Sequence, residues 1–520
     1  MLARLRDRGS KPWDMLIIGG GATGVGVALD AASRGYDVVL VEQADFGKGT
    51  SSRSTKLAHG GVRYLEQGNI SLVMEALKER GLMRQNAPHL VHDLAFVVPN
   101  YEWWEAPFYG VGLKVYNLLA GKYGFGPSTI LSRDETLQRL PTIKTDGLRG
   151  GIVYYDGQFD DSRLLINLAE TASEQGAVLV NYMRVDRLLK QGSELSGAVA
   201  VDLETGAEHQ IHAEVIINAT GAFTDGIRRM ADPQAKPLIA PSQGIHLVFP
   251  GRFLSSDHAI MVPHTSDGRV MFAIPWHGHV VVGTTDTPIP NASLDPLPFE
   301  EEIDFILETS ARYLNHAPTR DDVLSVFVGI RPLVKAGDDA GNTAALSRDH
   351  TIRIEDSCLV TITGGKWTTY RHMAEDCVNK AATIAQLEER PCVTKNLNVH
   401  GYHQNAEKFA DLEVYGADAP AIEALSLANP EWAGKLDEDL PYTGAEVVWA
   451  VRNEMARTLD DVLARRTRAL FLNAKAALRM APRVAQLMAA ELQCGPDWEQ
   501  QQLADFQKIA AGYVLGGSAS

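Results

Sequence analysis

Residues 14–46 read DMLIIGGGATGVGVALDAASRGYDVVLVEQADF, and the order of elements in this stretch decides the fold. Asp14 to Ile18 reads as a short buried strand, Gly26 to Arg34 as a helix with small residues on its inner face, and Asp37 to Val41 as a second strand. Gly19, Gly21 and Gly24 form GxGxxG at the strand-to-helix turn. A backbone without Cβ atoms can approach a pyrophosphate there, and the helix N-terminus offers its free N–H groups. Glu42 ends the second strand 23 positions after Gly19, where a carboxylate can accept hydrogen bonds from an adenosine ribose. GxGxxG alone is weak evidence; strand, helix, strand and terminal acid in this order point to a dinucleotide-binding unit.

Later segments choose between FAD and NAD. EVIINATGAFTD, residues 214–225, is an apolar strand ending in Ala219, Thr220 and Gly221, the pattern by which flavoproteins return a later strand of the same sheet to the cofactor. LVTITGGKWTTYRHMAED, residues 359–376, reads as a strand, a Gly364-Gly365 turn and a helix beginning near Thr368. A helix N-terminus aimed at a flavin ring stabilises the negative charge that reduction places on its N1 and O2 edge. FAD is the expected cofactor.

The length, 520 residues with 45% hydrophobic and 22% charged, allows two or three cores. With 49 basic and 65 acidic side chains the net charge is −16, so nucleic acid is excluded as a partner and an anionic ligand needs local cations. Four cysteines without a CxxC pair fit a reducing compartment. The start, MLARLRDRGSKPWD, lacks the apolar core of a signal peptide, and no uncharged run is long enough to span a bilayer. WHGHV offers His277 and His279, which read as turn residues because no third ligand follows at a suitable spacing; no metal is assigned.

The nucleotide elements are scattered over 14–88, 150–230 and 345–388, a discontinuous α/β Rossmann-type FAD domain. The segments between, 89–149 and 231–344, hold HLVFP, AIMVP, RVMFAIPW, VVVGTTD and SVFVGIRPLV, strands of a mostly antiparallel substrate domain. From 390 to 520 the apolar spacing turns to three and four, a C-terminal helical domain without a catalytic signature. In YEWWEAPFYGVGLKVYNLLAGKYG, residues 101–124, Phe108, Val111, Val115, Leu118 and Leu119 share a helical face flanked by Trp103, Trp104, Tyr123, Lys114 and Lys122. Periodicity alone reads this as a core helix, whereas its aromatic and lysine flanks suit a bilayer headgroup region.

Together, GGGATGVGVALDAASRG, TSSRSTKLAHGGVRYLE, NATGAFTD, GTTD, GIRPL and GGKWTTYR, in this order, resemble the FAD-dependent glycerol-3-phosphate dehydrogenases. KLAHGGVRYLE, residues 56–66, is the most specific match, because the wider amino-acid-oxidase-like flavoproteins share the GxGxxG and ATG elements but not this run. The resemblance implies oxidation of sn-glycerol 3-phosphate to dihydroxyacetone phosphate, electrons passed to a quinone, and a peripheral position on the cytoplasmic face of the inner membrane. It places an amphipathic surface near residues 108–119, which decides the reading of that helix for the membrane. A homodimer is left open.

Within this frame Gly60 and Gly61 turn the chain beside the flavin so that His59 and Arg63 face the substrate, and Thr50, Ser51 and Ser52 serve the pyrophosphate. Hydride transfer needs the reacting atoms about 3–3.5 Å apart and a base with a pKa near neutrality. His59 and His246 are the two candidates for that base. Arg331, in GIRPL, is similar to the family's active-site arginine and would polarise the substrate oxygen; Arg63, Tyr64, Lys366 and Arg348 would hold the phosphate. Three rivals stand beside this reading: a glycerol-3-phosphate oxidase forming peroxide, an amine or amino-acid oxidase, and a flavin-bound scaffold without turnover.

Overall fold

The computed structural model describes residues 1–9, 11–61, 69–102, 105–263, 265, 268–335 and 350–516. Parallel pairing builds the first sheet outward from the quoted stretch. Trp13–Ile18 lies between Val38–Val41 and Glu208–Asn218, with Ile17 opposite Leu40 and Ile217. Val178–Val180 extends the sheet on one side and Val360–Gly364 on the other, where antiparallel His350–Ile354 ends it. The strands are apolar without alternation because both faces are covered. Met15, Ile17, Val38 and Leu40 join the core of the helices Ala22–Ser33, Asp161–Glu174 and Tyr370–Ile384. Their neighbours Leu16, Ile18, Val39 and Val41 face the opposite way, toward Met183–Gln191 and Glu194–Asp202.

The helix of the quoted stretch begins at Ala22 rather than Gly26, so the glycine motif runs into its first turn. Gly26 then lies inside the helix, where Tyr370–Ile384 crosses it; a Cβ there would sit 2.9 Å from a Tyr370 ring carbon.

The second sheet is mostly antiparallel, as expected. Ile239–Pro250 pairs with Ser325–Val334 and His279–Gly283, and the sheet continues through Met271–Trp276 and Ala259–Val262 to Val91–Asn100. Only the junction of Ala259–Val262 with Val91–Asn100 is parallel among its described pairings. Gly150–Phe159 and Leu57–Ala58, grouped from the sequence with the cofactor segments, pair here instead. Gly150–Phe159 runs beside Val91–Asn100 for the full length of both, and no local signal reveals which sheet an apolar strand will join.

From Ala419 the described chain is helical apart from the hairpin Lys435–Asp437 with Leu440–Thr443. The long apolar spacing of 443–471 is not one helix: Gly444–Asn453 stops before Met455, and Arg468 precedes Ala469–Leu472, both with left-handed backbones at φ +56° and +58°. Ala474–Leu492 is continuous despite Pro482. These helices share a core with the second sheet, Phe327 and Val447 belonging to the same buried cluster. No described helix is long and apolar enough to cross a membrane.

The helix Glu105–Ala120 corrects the periodicity argument. Tyr109, Leu113, Tyr116 and Ala120 are buried, while Phe108, Val111, Val115 and Leu118 are 55%, 67%, 40% and 80% exposed, so the stripe named from the sequence is the outer face except for Leu119, which packs inward beside Tyr116 and Ala120. A 3.6-residue period locates an apolar stripe but not what covers it.

Candidate active site

Four strands of the first sheet, Trp13–Ile18, Val38–Val41, Glu208–Asn218 and Val360–Gly364, run in the same sense and bring their C-terminal ends to one edge. A cavity of about 360 Å³ opens there, and Gly19, Gly21, Glu42, Thr50, Ser51, Ala219, Thr220, Gly221, Gly364 and Gly365 line it. This is where open α/β sheets bind ligands. Gly19 has φ +113°, and a Cβ on it would lie 2.6 Å from the Ala219 carbonyl oxygen, so only glycine lets the two strand ends meet. Gly24 lies off the cavity wall; a Cβ on it would strike the Gly19 carbonyl oxygen, which makes it a packing residue of the turn.

Glu42 accepts the Gly20 N–H at 2.6 Å and the Ala44 N–H at 2.9 Å. Burial raises its pKa against the pull of those two bonds. A carboxylate accepts about four hydrogen bonds, so capacity is left for a ribose. Ser51 Oγ accepts the Ala22 N–H at 2.9 Å, capping the helix that points at the cavity. Thr50 Oγ1 donates to the Ile330 carbonyl at 2.6 Å, and the Trp367 indole donates to the Ser51 carbonyl at 2.8 Å. Ser52 is not brought to the cavity: it is fully buried and its hydroxyl donates to the Gly47 carbonyl at 2.8 Å. Lys48, absent from the sequence-based site, lines the cavity and pairs with Asp295 at 2.7 Å and Asp460 at 2.9 Å.

A second cavity, about 250 Å³, shares Thr50, Pro332, Gly364, Gly365, Lys366 and Trp367 with the first. His59, His246, Arg331, Lys366 and Thr368 converge on it from four chain segments. The Arg331 guanidinium donates to Asp286 at 3.3 Å and to Thr284 Oγ1 at 3.2 Å; Gly244 leaves it room, since a Cβ there would lie 2.6 Å from either terminal nitrogen. His246 Nε2 lies 2.9 Å from Thr55 Oγ1, and its ring stacks on Phe327 with centroids 4.8 Å apart. Burial, then the positive charges of Lys56 and Arg331, hold its pKa well below the usual histidine value. The His59 N–H donates to Thr368 Oγ1 at 3.3 Å. Arg63, Tyr64 and Arg348 lie outside the described residues.

Sequence reasoning missed Arg53, Ser54 and Thr55 on this wall, although they stand inside the quoted TSSRSTK run. Arg53 is buried and donates to the Leu294 carbonyl at 2.7 Å. Beneath Thr55 the Lys56 ammonium, wholly buried, bonds both Asp161 oxygens at 2.8 Å and lies 4.9–5.1 Å from the rings of Trp276, Phe471 and Phe327. His277 turns its hairpin at φ +46° and lies 3.0 Å from Asp160, while His279 Nδ1 lies 2.8 Å from the His277 carbonyl.

A nucleotide cavity at the C-terminal edge of a parallel sheet, continuous with a cationic pocket under an antiparallel sheet, defines a flavoprotein oxidoreductase of two sheets. Residues 14–365 match the FAD dependent oxidoreductase family, and residues 360–502 match the C-terminal domain of alpha-glycerophosphate oxidase. The mitochondrial glycerol-3-phosphate dehydrogenase of Rattus norvegicus is 42% identical over 94% of this chain and 72% of its own length. That of Schizosaccharomyces pombe is 40% identical over 98% of this chain and 88% of its own. Among solved structures, the glycerol-3-phosphate dehydrogenase from Bacillus halodurans complexed with FAD aligns with a TM-score of 0.82 at 28% identity, covering 100% of this chain and 98% of that one. The chain belongs to the FAD-dependent glycerol-3-phosphate dehydrogenases.

Proposed function

We propose that the chain oxidises the C2 hydroxyl of sn-glycerol 3-phosphate, giving dihydroxyacetone phosphate, and passes the electrons to a quinone at a membrane surface. The second cavity carries this reading: Arg53, Arg331 and Lys366 line it, in a chain of net charge −16, beside two histidines and against the wall of the cofactor cavity. When bound, FAD supplies the two-electron acceptor for the C2 hydrogen. Arg331, fixed by Asp286, polarises the substrate oxygen, and Lys366 with Arg63, Tyr64 and Arg348 holds the phosphate. His246 or His59 takes the hydroxyl proton. His246 rests neutral, as a base must; burial weakens it most, and a dianionic phosphate would offset only the smaller contribution of the Lys56 and Arg331 charges.

The exposed apolar face of Glu105–Ala120 supports the membrane part of the proposal. Ile130, 53% exposed, lies beside Gly110 and widens that face, and Ile70 and Met74 on the adjoining helix Ile70–Asn86 are half exposed. A patch of this kind on an anionic protein is held to a bilayer by apolar burial more than by charge.

Anaerobic addition of glycerol 3-phosphate to the holoprotein should bleach the flavin, and reoxidation by a quinone analogue should form no hydrogen peroxide. A flavin that stays oxidised refutes the substrate. Stoichiometric peroxide without quinone favours the oxidase reading, which the match of residues 360–502 to an alpha-glycerophosphate oxidase domain keeps in view.

A further inference from the structure

The two glycines after His59 were expected to turn the chain beside the flavin so that His59 and Arg63 face the substrate; the groups packed against Gly60 come from the helices Ile70–Asn86 and Glu105–Ala120. A Cβ on Gly60 would lie 2.5 Å from the Tyr116 hydroxyl and 2.6 Å from Leu77 Cδ2. The Tyr116 hydroxyl accepts the Gly60 N–H at 2.8 Å and donates to Asp156 Oδ2 at 2.8 Å. Asp156 is in turn paired through Oδ1 with Arg80 at 2.6 Å, and Arg80 also donates to the Tyr123 carbonyl at 3.0 Å. Tyr116, Asp156 and Arg80 are 1%, 3% and 1% exposed, so this chain of bonds is dry. Burial and the Asp156 charge keep the phenol protonated, able to donate and accept at once.

Successive N–H groups of the loop are therefore held by two different elements. Thr368, at the turn before Tyr370–Ile384, holds His59, and Tyr116, on the inner face of Glu105–Ala120, holds Gly60. We propose that Tyr116 is a positioning residue of the reaction: through the Gly60 N–H it sets where His59 stands in the substrate cavity, and so ties the placement of the surface helix to the geometry of the site. This rests on the proposed oxidation of glycerol 3-phosphate. In a near-attack geometry a displacement of about 1 Å costs up to about a hundredfold in rate.

The test is anaerobic stopped-flow reduction of the FAD-loaded enzyme by saturating glycerol 3-phosphate, with flavin content and melting temperature measured in parallel. Tyr116→Phe keeps the ring but loses both bonds, and its flavin reduction should slow about tenfold or more with FAD retained. Asp156→Asn keeps the tyrosine but weakens its fixing, and should slow reduction by less; it carries the decision if Tyr116→Phe does not fold. Leu113→Ala, on the same helix and buried but with no hydrogen bond to give, should lower the melting temperature while reduction stays within about twofold of wild type. The proposal is overturned if the folded Tyr116 and Asp156 variants reduce at the wild-type rate, or if Leu113→Ala slows reduction as much as they do. A wild-type flavin that glycerol 3-phosphate does not reduce would instead sink the substrate assignment.

Discussion

Arg331 reaches the proposed substrate cavity held by Asp286 and Thr284, which would fix the guanidinium before a substrate arrives. Arg331→Ala and Lys366→Ala should each lower turnover about a hundredfold or more while FAD stays bound, because a preorganised charged donor in a dry site contributes that much. Steady-state kinetics on variants of known flavin content checks this, and near-normal turnover would remove the residue from the site. His59→Asn and His246→Asn rank the two bases: replacing the true one abolishes the acid limb of the pH–rate profile, and a limb carried by His246 lies below the usual histidine value. Glu42→Ala should release FAD on gel filtration with little change in molecules that keep it, since Glu42 faces the cofactor cavity and not the second one. At Lys56 and Asp161 burial is the largest influence, lowering the pKa of the ammonium and raising that of the carboxyl, and the charge of each partner opposes that shift. Asp161→Ala strands a buried ammonium and should cost about 3–5 kcal/mol in denaturant unfolding.

Two elements carry predictions of their own. If the exposed face of Glu105–Ala120 rests on a bilayer, replacing Phe108, Val111, Val115 and Leu118 by serine should move the enzyme from the membrane pellet to the supernatant while dye-linked activity survives. Loss of FAD or unfolding in that variant would contradict the exposure of these side chains. The second element is the junction of Asp161–Glu174 with the segment near His400. His400 Nδ1 lies 2.6 Å from Glu174 and Nε2 lies 2.8 Å from Asp418, and the hydrogen bond to Asp418 leads in raising its pKa to about 10. The resulting stability is complete below the unfolded histidine value of about 6.5 and is lost as pH rises through about 10. Burial raises neighbouring Glu170 to about 8, so its contribution is lost as pH rises from its ordinary value of about 4.5 to about 8 and overlaps only the lower part of the His400 range. The melting temperature should therefore fall between pH 7 and 10, and His400→Gln should flatten that fall. An unchanged slope in the variant would show that other groups control the alkaline limb.

Across the whole molecule the C-terminal helices are structural partners of the cofactor loop. Asp45 is bridged by Arg465 and Arg466, and Lys48 on the cofactor cavity is paired with Asp460. Among the described residues the helical region lines neither cavity itself, and it reaches the second cavity's wall through Tyr513, whose hydroxyl accepts from the Arg53 guanidinium at 3.2 Å. Asp460→Ala should lower FAD occupancy and melting temperature together, because Lys48 keeps only the half-exposed Asp295 as a partner. Flavin content after dialysis reads the outcome, and full retention would confine Asp460 to folding alone. A chain shortened to residues before 390 should aggregate, since the second sheet would expose the core it shares with these helices.

What the sequence determined by itself was local chemistry. Glycines at fixed offsets, an acid closing a strand and apolar runs between turns depend on neighbours within about 25 residues, so the cofactor unit, the antiparallel second sheet and the helical end were legible along the chain. The family resemblance supplied most of the candidate residues, and geometry brought His59, His246, Arg331, Lys366 and Thr368 onto one cavity. Tertiary structure alone decided which sheet took Gly150–Phe159, which face of Glu105–Ala120 met solvent, and that Ser52 turned away while Lys48 and Arg53 turned in. Apart from Ser52, whose partner Gly47 is five positions away, those outcomes rest on distant partners, such as Leu294 for Arg53 and Asp460 for Lys48, 241 and 412 positions away. Periodicity states that a side chain is apolar or charged; only the packed chain states what it touches.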